Sequence, residues 1–136
     1  MNYKYNVLII DQEQEVLSTL KKLLPPEGYT VETSQSATNA FEKVKSEKYH
    51  IVLIDIEMSE MDGVQLLREI KKYDPMTQII MMTEHSTMDK ILSSFEYGAN
   101  DYLYKPLENT ELAINLIDYS AQKLNRWREA IIQIVK

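Results

Sequence analysis

Short apolar runs alternate along the whole chain with stretches whose apolar positions recur every three or four residues. Tyr5 to Ile10 (YNVLII) reads as a strand. Gln14 to Leu24 then carries Val16, Leu17, Leu20, Leu23 and Leu24 at helical spacing. Pro25-Pro26 stops that helix and Gly28 permits the turn. Tyr29 to Thr33 alternates like a strand with one more exposed face. Ser36 suits an N-cap for a helix to about Lys45, with Ala37, Ala40, Phe41 and Val44 turned inward. Ile51 to Ile54 (IVLI) is apolar throughout, as in a strand covered on both faces. Gly63 to Tyr73 is helical through Val64, Leu66, Leu67 and Ile70. Gln78 to Met82 is a fourth strand. Met88 to about Tyr97 is a helix closed by Gly98 as the residue beyond its C-cap. Asp101 to Tyr104 is a short fifth strand, and a helical pattern runs from Asn109 almost to the end.

Strand and helix thus alternate five times. Strands joined by helices of this length form right-handed crossovers and a parallel sheet. The expected fold class is α/β: a doubly wound, flavodoxin-like sheet of five parallel strands, order 2-1-3-4-5, with five flanking helices. No linker or repeat interrupts residues 1–122, so they read as one domain, and 123–136 extend the last helix beyond its needs. In that extension Leu124, Trp127, Ile131 and Ile134 recur at spacings of three and four. Such a seam seeks a partner helix, with Trp127 as an interface anchor. It fits a homodimer or a connector to an output domain outside this chain. The helix before it already has Leu112, Leu116 and Ile117 to pack on its own domain.

Composition narrows the function classes. The 136 residues are 44% apolar and 26% charged, the balance of a globular domain with a substantial core. The net charge of -6 argues against a nucleic-acid surface, since phosphate would be repelled. No apolar run approaches the roughly 20 residues that span a bilayer, and the N-terminal apolar patch is too short for a signal peptide. There is no cysteine, so no disulfide framework and no thiolate metal site. The expected compartment is the cytoplasm.

In a doubly wound sheet the working site lies at the carboxyl ends of the strands. The first strand ends on Asp11, Gln12 and Glu13; the third on Asp55; the fourth on Thr83; the fifth on Lys105-Pro106. A carboxylate such as Asp55 at the end of a buried strand is costly unless something there compensates it. Two carboxylates, a hydroxyl and an ammonium are a legible group. The carboxylates can share a hard cation such as Mg²⁺, while the lysine and threonine serve an anionic group on Asp55.

These residues carry a resemblance. In order come the acid after the first strand, the lone Asp55 after the third, and Met58-Ser-Glu-Met-Asp-Gly63. Then come Thr83 and Asp101-Tyr-Leu-Tyr-Lys-Pro106. Over residues 4 to 122 the chain resembles the receiver domain of bacterial two-component response regulators. The resemblance implies a phosphoryl-accepting signalling switch rather than an enzyme, with Asp55 phosphorylated by a sensor histidine kinase. It implies Mg²⁺ on Asp11, Asp55 and the backbone carbonyl of Glu57, with Gln12 beside them. Lys105 and Thr83 would meet the phosphoryl oxygens, and Tyr102 would turn inward and alter the surface offered to an output domain or downstream protein.

The sequence departs from the family at Gln12, where a second acid is usual, and at Glu84, where a small residue is usual. Ser59 replaces a common proline. These departures motivate an alternative reading, a receiver-like interaction module that acts without phosphate. A flavin- or nucleotide-binding enzyme would need a phosphate loop after the first strand, and Asp11-Gln-Glu-Gln-Glu15 repels phosphate. His50 and His85 have no ligand spacing. The methionines Met58, Met61, Met81, Met82 and Met88 suit core gaps, and Gly63 a backbone turn.

Overall fold

The computed structural model describes residues 4–105 and 107–136. Pro106, expected to end the fifth strand, lies outside them. Five strands form one sheet: β1 (Asn6–Ile10), β2 (Thr30–Ser34), β3 (Ile51–Asp55), β4 (Gln78–Thr83) and β5 (Asp101–Tyr104). Five helices connect or follow them: α1 (Gln14–Leu23), α2 (Ala37–Ser46), α3 (Gly63–Tyr73), α4 (Met88–Glu96) and α5 (Thr110–Ile134). The order β2-β1-β3-β4-β5 and the parallel pairing are those expected.

The period of two along each strand divides the core in two. Val7, Ile9, Ile51, Leu53, Ile80 and Met82 meet Val16, Leu17 and Leu20 of α1 and Ala113, Leu116 and Ile117 of α5. Leu8, Ile10, Val52, Ile54, Ile79 and Met81 face the other way, onto α2 and α3. β3 is buried along its whole length, including Asp55. Helix starts follow their capping residues. Ser36 Oγ accepts from Asn39 N, Asp62 from Val64 N, Thr87 from Lys90 N and Asn109 from Leu112 N.

Four expectations about side chains change. Leu124 does not belong to a free seam. It is 7% exposed and packs in the α1/α5 core, and the Tyr5 hydroxyl donates to Asn125 Oδ1 one residue later. Trp127, Ile131 and Ile134 do remain exposed. Leu112, expected inward, is exposed, because Ala113, Leu116 and Ile117 already make the helix's inner stripe. Met88 is exposed too, whereas Met58, Met81 and Met82 are buried. Gly63 does not supply a left-handed turn; positive φ belongs to Gly28 and Gly98. A Cβ at Gly63 would lie 2.7 Å from Ile56 Cα and closer still to the Asp55 carbonyl oxygen. Its missing side chain lets the start of α3 press against the end of β3.

Candidate functional site

The topology brings Asp11, Asp55, Thr83 and Lys105 to one end of the sheet, since β1, β3, β4 and β5 are successive neighbours. Each side chain is oriented by local backbone. Asp11 Oδ1 accepts from Glu13 N at 2.8 Å, and Asp55 Oδ1 accepts from Glu57 N at 3.0 Å. The two turns have the same form: the carboxylate at a strand end caps the amide two residues on. Each leaves its second oxygen to face Lys105. The ammonium donates to Asp11 Oδ2 at 2.9 Å and lies 3.4 Å from Asp55 Oδ2 and 3.5 Å from Glu13 Oε1. Lys105 is fixed in turn by its amide, which donates to the Thr83 carbonyl at 2.8 Å.

Burial sets the electrostatics. Asp11 and Lys105 are buried, and Asp55 is only 3% exposed. Desolvation and the neighbouring Asp11 charge push the Asp55 carboxyl up to about 6, against the pull of the Glu57 amide and of Lys105. Burial alone would lower Lys105, but the hydrogen bond and charge of Asp11, with Asp55 and Glu13 behind it, hold its ammonium above the usual lysine value. The Thr83 hydroxyl is buried and has no hydrogen-bond partner among the described residues. An unpaired buried hydroxyl costs about 1–3 kcal/mol, so its retention asks for a ligand.

A cavity of about 250 Å³ opens at this point, lined by Gln12, Glu13, Asp55, Glu57, Glu84, His85 and Lys105. Four carboxylates and one lysine line it, so it favours a cation. Glu84 reaches the mouth, as its place in the sequence suggested. His85 does as well, which the sequence did not signal. Among the described residues no three His, Asp or Glu side chains converge as a metal cluster. Asp11 and Asp55 do share one cation already, the Lys105 ammonium. With the Glu57 carbonyl they offer hard oxygen donors of the kind Mg²⁺ takes while keeping several waters. That carbonyl has a partner of its own: Gln12 Nε2 donates to it at 2.5 Å.

Tyr102 lies one strand further out. Its hydroxyl donates to the Ile91 carbonyl of α4 at 2.8 Å, and its ring is 4.9 Å from Phe95. It therefore ties β5 to α4. Lys90, at the start of α4, pairs with Asp62 at 3.1 Å and Glu57 at 3.5 Å. Nothing in the sequence pointed to this bridge, because its members are far apart in the chain. His50 is remote from the cavity, and its Nδ1 accepts from Asn6 N.

The family model described as the response regulator receiver domain matches residues 7–117. The chain belongs to that family. A receiver domain is the phosphoacceptor signalling switch of a two-component system, and receivers generally use Mg²⁺. This receiver is similar to the transcriptional regulatory protein ZraR of Klebsiella oxytoca, 36% identical over 111 residues, 82% of this chain and 25% of that protein. It is also similar to the transcriptional regulatory protein GlrR of Escherichia coli K12, 32% identical over 131 residues, 93% of this chain and 30% of that protein. The chain thus spans about a quarter to a third of these curated relatives. Among solved structures it is similar to the signal receiver domain of an HD domain-containing protein from Pseudomonas fluorescens Pf-5. The TM-score is 0.85 at 27% identity, covering 95% of both chains. Among the described residues no helix is long and apolar enough to cross a membrane.

Proposed function

We propose that Asp55 is the phosphoacceptor of this receiver and that Asp11, Lys105 and Thr83 serve its phosphoryl group. The convergence of Asp11 and Asp55 on the buried Lys105 ammonium carries the reading. In the transfer, an Asp55 carboxylate oxygen attacks the phosphorus of a phosphohistidine on a sensor kinase. The P–N bond breaks, the imidazole leaves with its electron pair, and an acyl phosphate forms. Mg²⁺ held by Asp11, Asp55 and the Glu57 carbonyl would offset charge on the transferring phosphoryl oxygens. Lys105 supplies the fixed positive charge. Its bond to Asp11 keeps it aimed at Asp55 without a metal. The Thr83 hydroxyl gains a partner when it meets a phosphoryl oxygen, which favours the phosphorylated arrangement. Tyr102 then carries the change to α4, whose outer face would address an output domain or downstream protein. The cytoplasm, where the kinase phosphohistidine is made, is the compartment this implies.

Asp55→Asn tests the assignment. Wild type incubated with acetyl phosphate and Mg²⁺ should gain one phosphoryl mass, and the variant none. A variant that still gains it would move the acceptor elsewhere.

The exposed stripe Trp127, Ile131 and Ile134 supports self-association through the end of α5. Removing residues 127–136 spares Leu124 and Asn125, which belong to the domain. Sedimentation should show a dimer for the full chain and a monomer after the cut. The same mass for both would discard the stripe as an interface.

A further inference from the structure

The oxygens that would hold Mg²⁺ are engaged by the chain itself. Lys105 serves Asp11 and Asp55, and Gln12 serves the Glu57 carbonyl. The Gln12 contact fixes which end of the amide points inward. Only its NH₂ can meet a carbonyl oxygen, since the amide oxygen there would be lone pair against lone pair. The Gln12 backbone is held from outside, its carbonyl accepting from Gln35 Nε2 at 3.1 Å. The Gln12 side chain is otherwise exposed, so no packing forces it across the cavity mouth.

We propose that Gln12 is an internal competitor for the metal: its amide hydrogens occupy the Glu57 carbonyl that a bound cation must use. The inference rests on the ligand assignment above and goes beyond it. A glutamine in place of an acid could act in two opposite ways. As a poor ligand, it lends its amide oxygen to the cation and helps weakly. As a competitor, it donates to the cation's own ligand and hinders. The geometry selects the second, because the donor and not the acceptor end of the amide faces the ligand oxygen. A cation on that oxygen would sit beside the positive ends of the amide N–H bonds, so ligation would work against the hydrogen bond even though the carbonyl has a second lone pair. Lys105 and the Gln12 amide both engage oxygens that would hold the cation, and of the two only Gln12 meets the Glu57 carbonyl.

The two roles differ in sign at Gln12→Ala. Removing a weak ligand lowers Mg²⁺ affinity, whereas removing a competitor raises it. Gln12→Asp would not decide between them, since a new carboxylate helps under either. Calorimetric titration with MgCl₂ alone, at one ionic strength, compares wild type, Gln12→Ala and Asp55→Asn. Gln12→Ala should bind more tightly by about threefold to tenfold, the range spanned by one net hydrogen bond. Asp55→Asn should bind far more weakly than wild type. Equal or weaker binding by Gln12→Ala, with Asp55→Asn impaired, would overturn the competitor role and leave the ligand assignment standing. Asp55→Asn binding like wild type would overturn the ligand assignment and the inference with it. The Gln12 side-chain NH₂ signals in an amide ¹⁵N spectrum give an independent reading. They should shift on Mg²⁺ addition as the hydrogen bond is lost, and invariant signals at saturating Mg²⁺ would overturn the proposal.

Discussion

Helices α3 and α4 line one groove together, yet they are held in different ways. α3 buries Gly63, Leu66, Leu67 and Ile70, and its first residue touches the backbone of Asp55 and Ile56. α4 buries only Ser94 and leaves Met88, Leu92 and Phe95 more than half exposed. What holds α4 is mostly polar: Lys90 to Asp62 and Glu57, and the Tyr102 hydroxyl to the Ile91 carbonyl, with the Tyr102 ring against Phe95. Apolar burial is worth roughly 1.5–3 kcal/mol per large side chain, while an exposed ion pair contributes about 1 kcal/mol or less. One helix is therefore part of the core and the other is moored to it. A switch needs both. The fixed side packs against the backbone at Asp55, and under the proposed function the moored side would change position for the few kcal/mol a phosphoryl contact supplies.

Substitution should separate the two helices widely. Gly63→Ala places a methyl against the backbone of β3 with no flexible side chain to yield. It should cost at least about 3 kcal/mol of stability, and Leu67→Ala about 2–5 kcal/mol by leaving a cavity. Leu92→Ala, on the exposed face of α4, should change stability by less than about 0.5 kcal/mol. Urea unfolding of the three variants checks this. A Leu92→Ala cost comparable to Leu67→Ala would mean that α4 is a core helix and not the movable side of the switch.

The sequence made one side of this comparison visible and not the other. Periodicity places Leu66, Leu67 and Ile70 of α3 inward because they form one stripe that the sheet must cover. The strand-end rule then finds Asp11, Asp55, Thr83 and Lys105 without any contact being known. In α4 the expectation that Met88 fills a core gap failed, and Met88, Leu92 and Phe95 all stay more than half exposed. A pattern says that a face is apolar, not what lies opposite. Leu124 shows the reverse error: the same spacing that suggested a partner helix is met by the chain's own core. Contacts between distant segments were illegible for the same reason. Neither the Gln12 amide on the Glu57 carbonyl nor the Lys90 bridge has a local signature. Gly63 was noticed, but its purpose depends on how closely α3 approaches β3, which is a tertiary fact.

The charge on Asp55, against which the start of α3 packs, gives a smaller and pH-dependent test. Its carboxyl is raised from 3.8 to about 6 by burial and by Asp11, so the folded state favours the protonated form. Below about pH 4 Asp55 is protonated in both folded and unfolded chains and contributes no difference. Between about 4 and 6 the folded chain holds a proton that the unfolded chain has lost, so stability falls as the pH rises. Above that window the loss is complete, at about 2–3 kcal/mol for a shift of this size. Asn cannot ionise, so Asp55→Asn escapes the loss. It also weakens the Lys105 pairing and alters the turn at Glu57, but its altered turn contacts do not titrate in this range. The stability difference between variant and wild type should therefore move in the variant's favour across the window and then level off. Mg²⁺ should shrink it at neutral pH, because a bound cation favours the ionised carboxylate of the wild type alone. Urea titrations of both proteins at several pH values, with and without Mg²⁺, read this directly. A difference that stays constant from pH 4 to 7 would show that Asp55 titrates alike in the folded and unfolded chains, and that Lys105 fully offsets the burial of its charge.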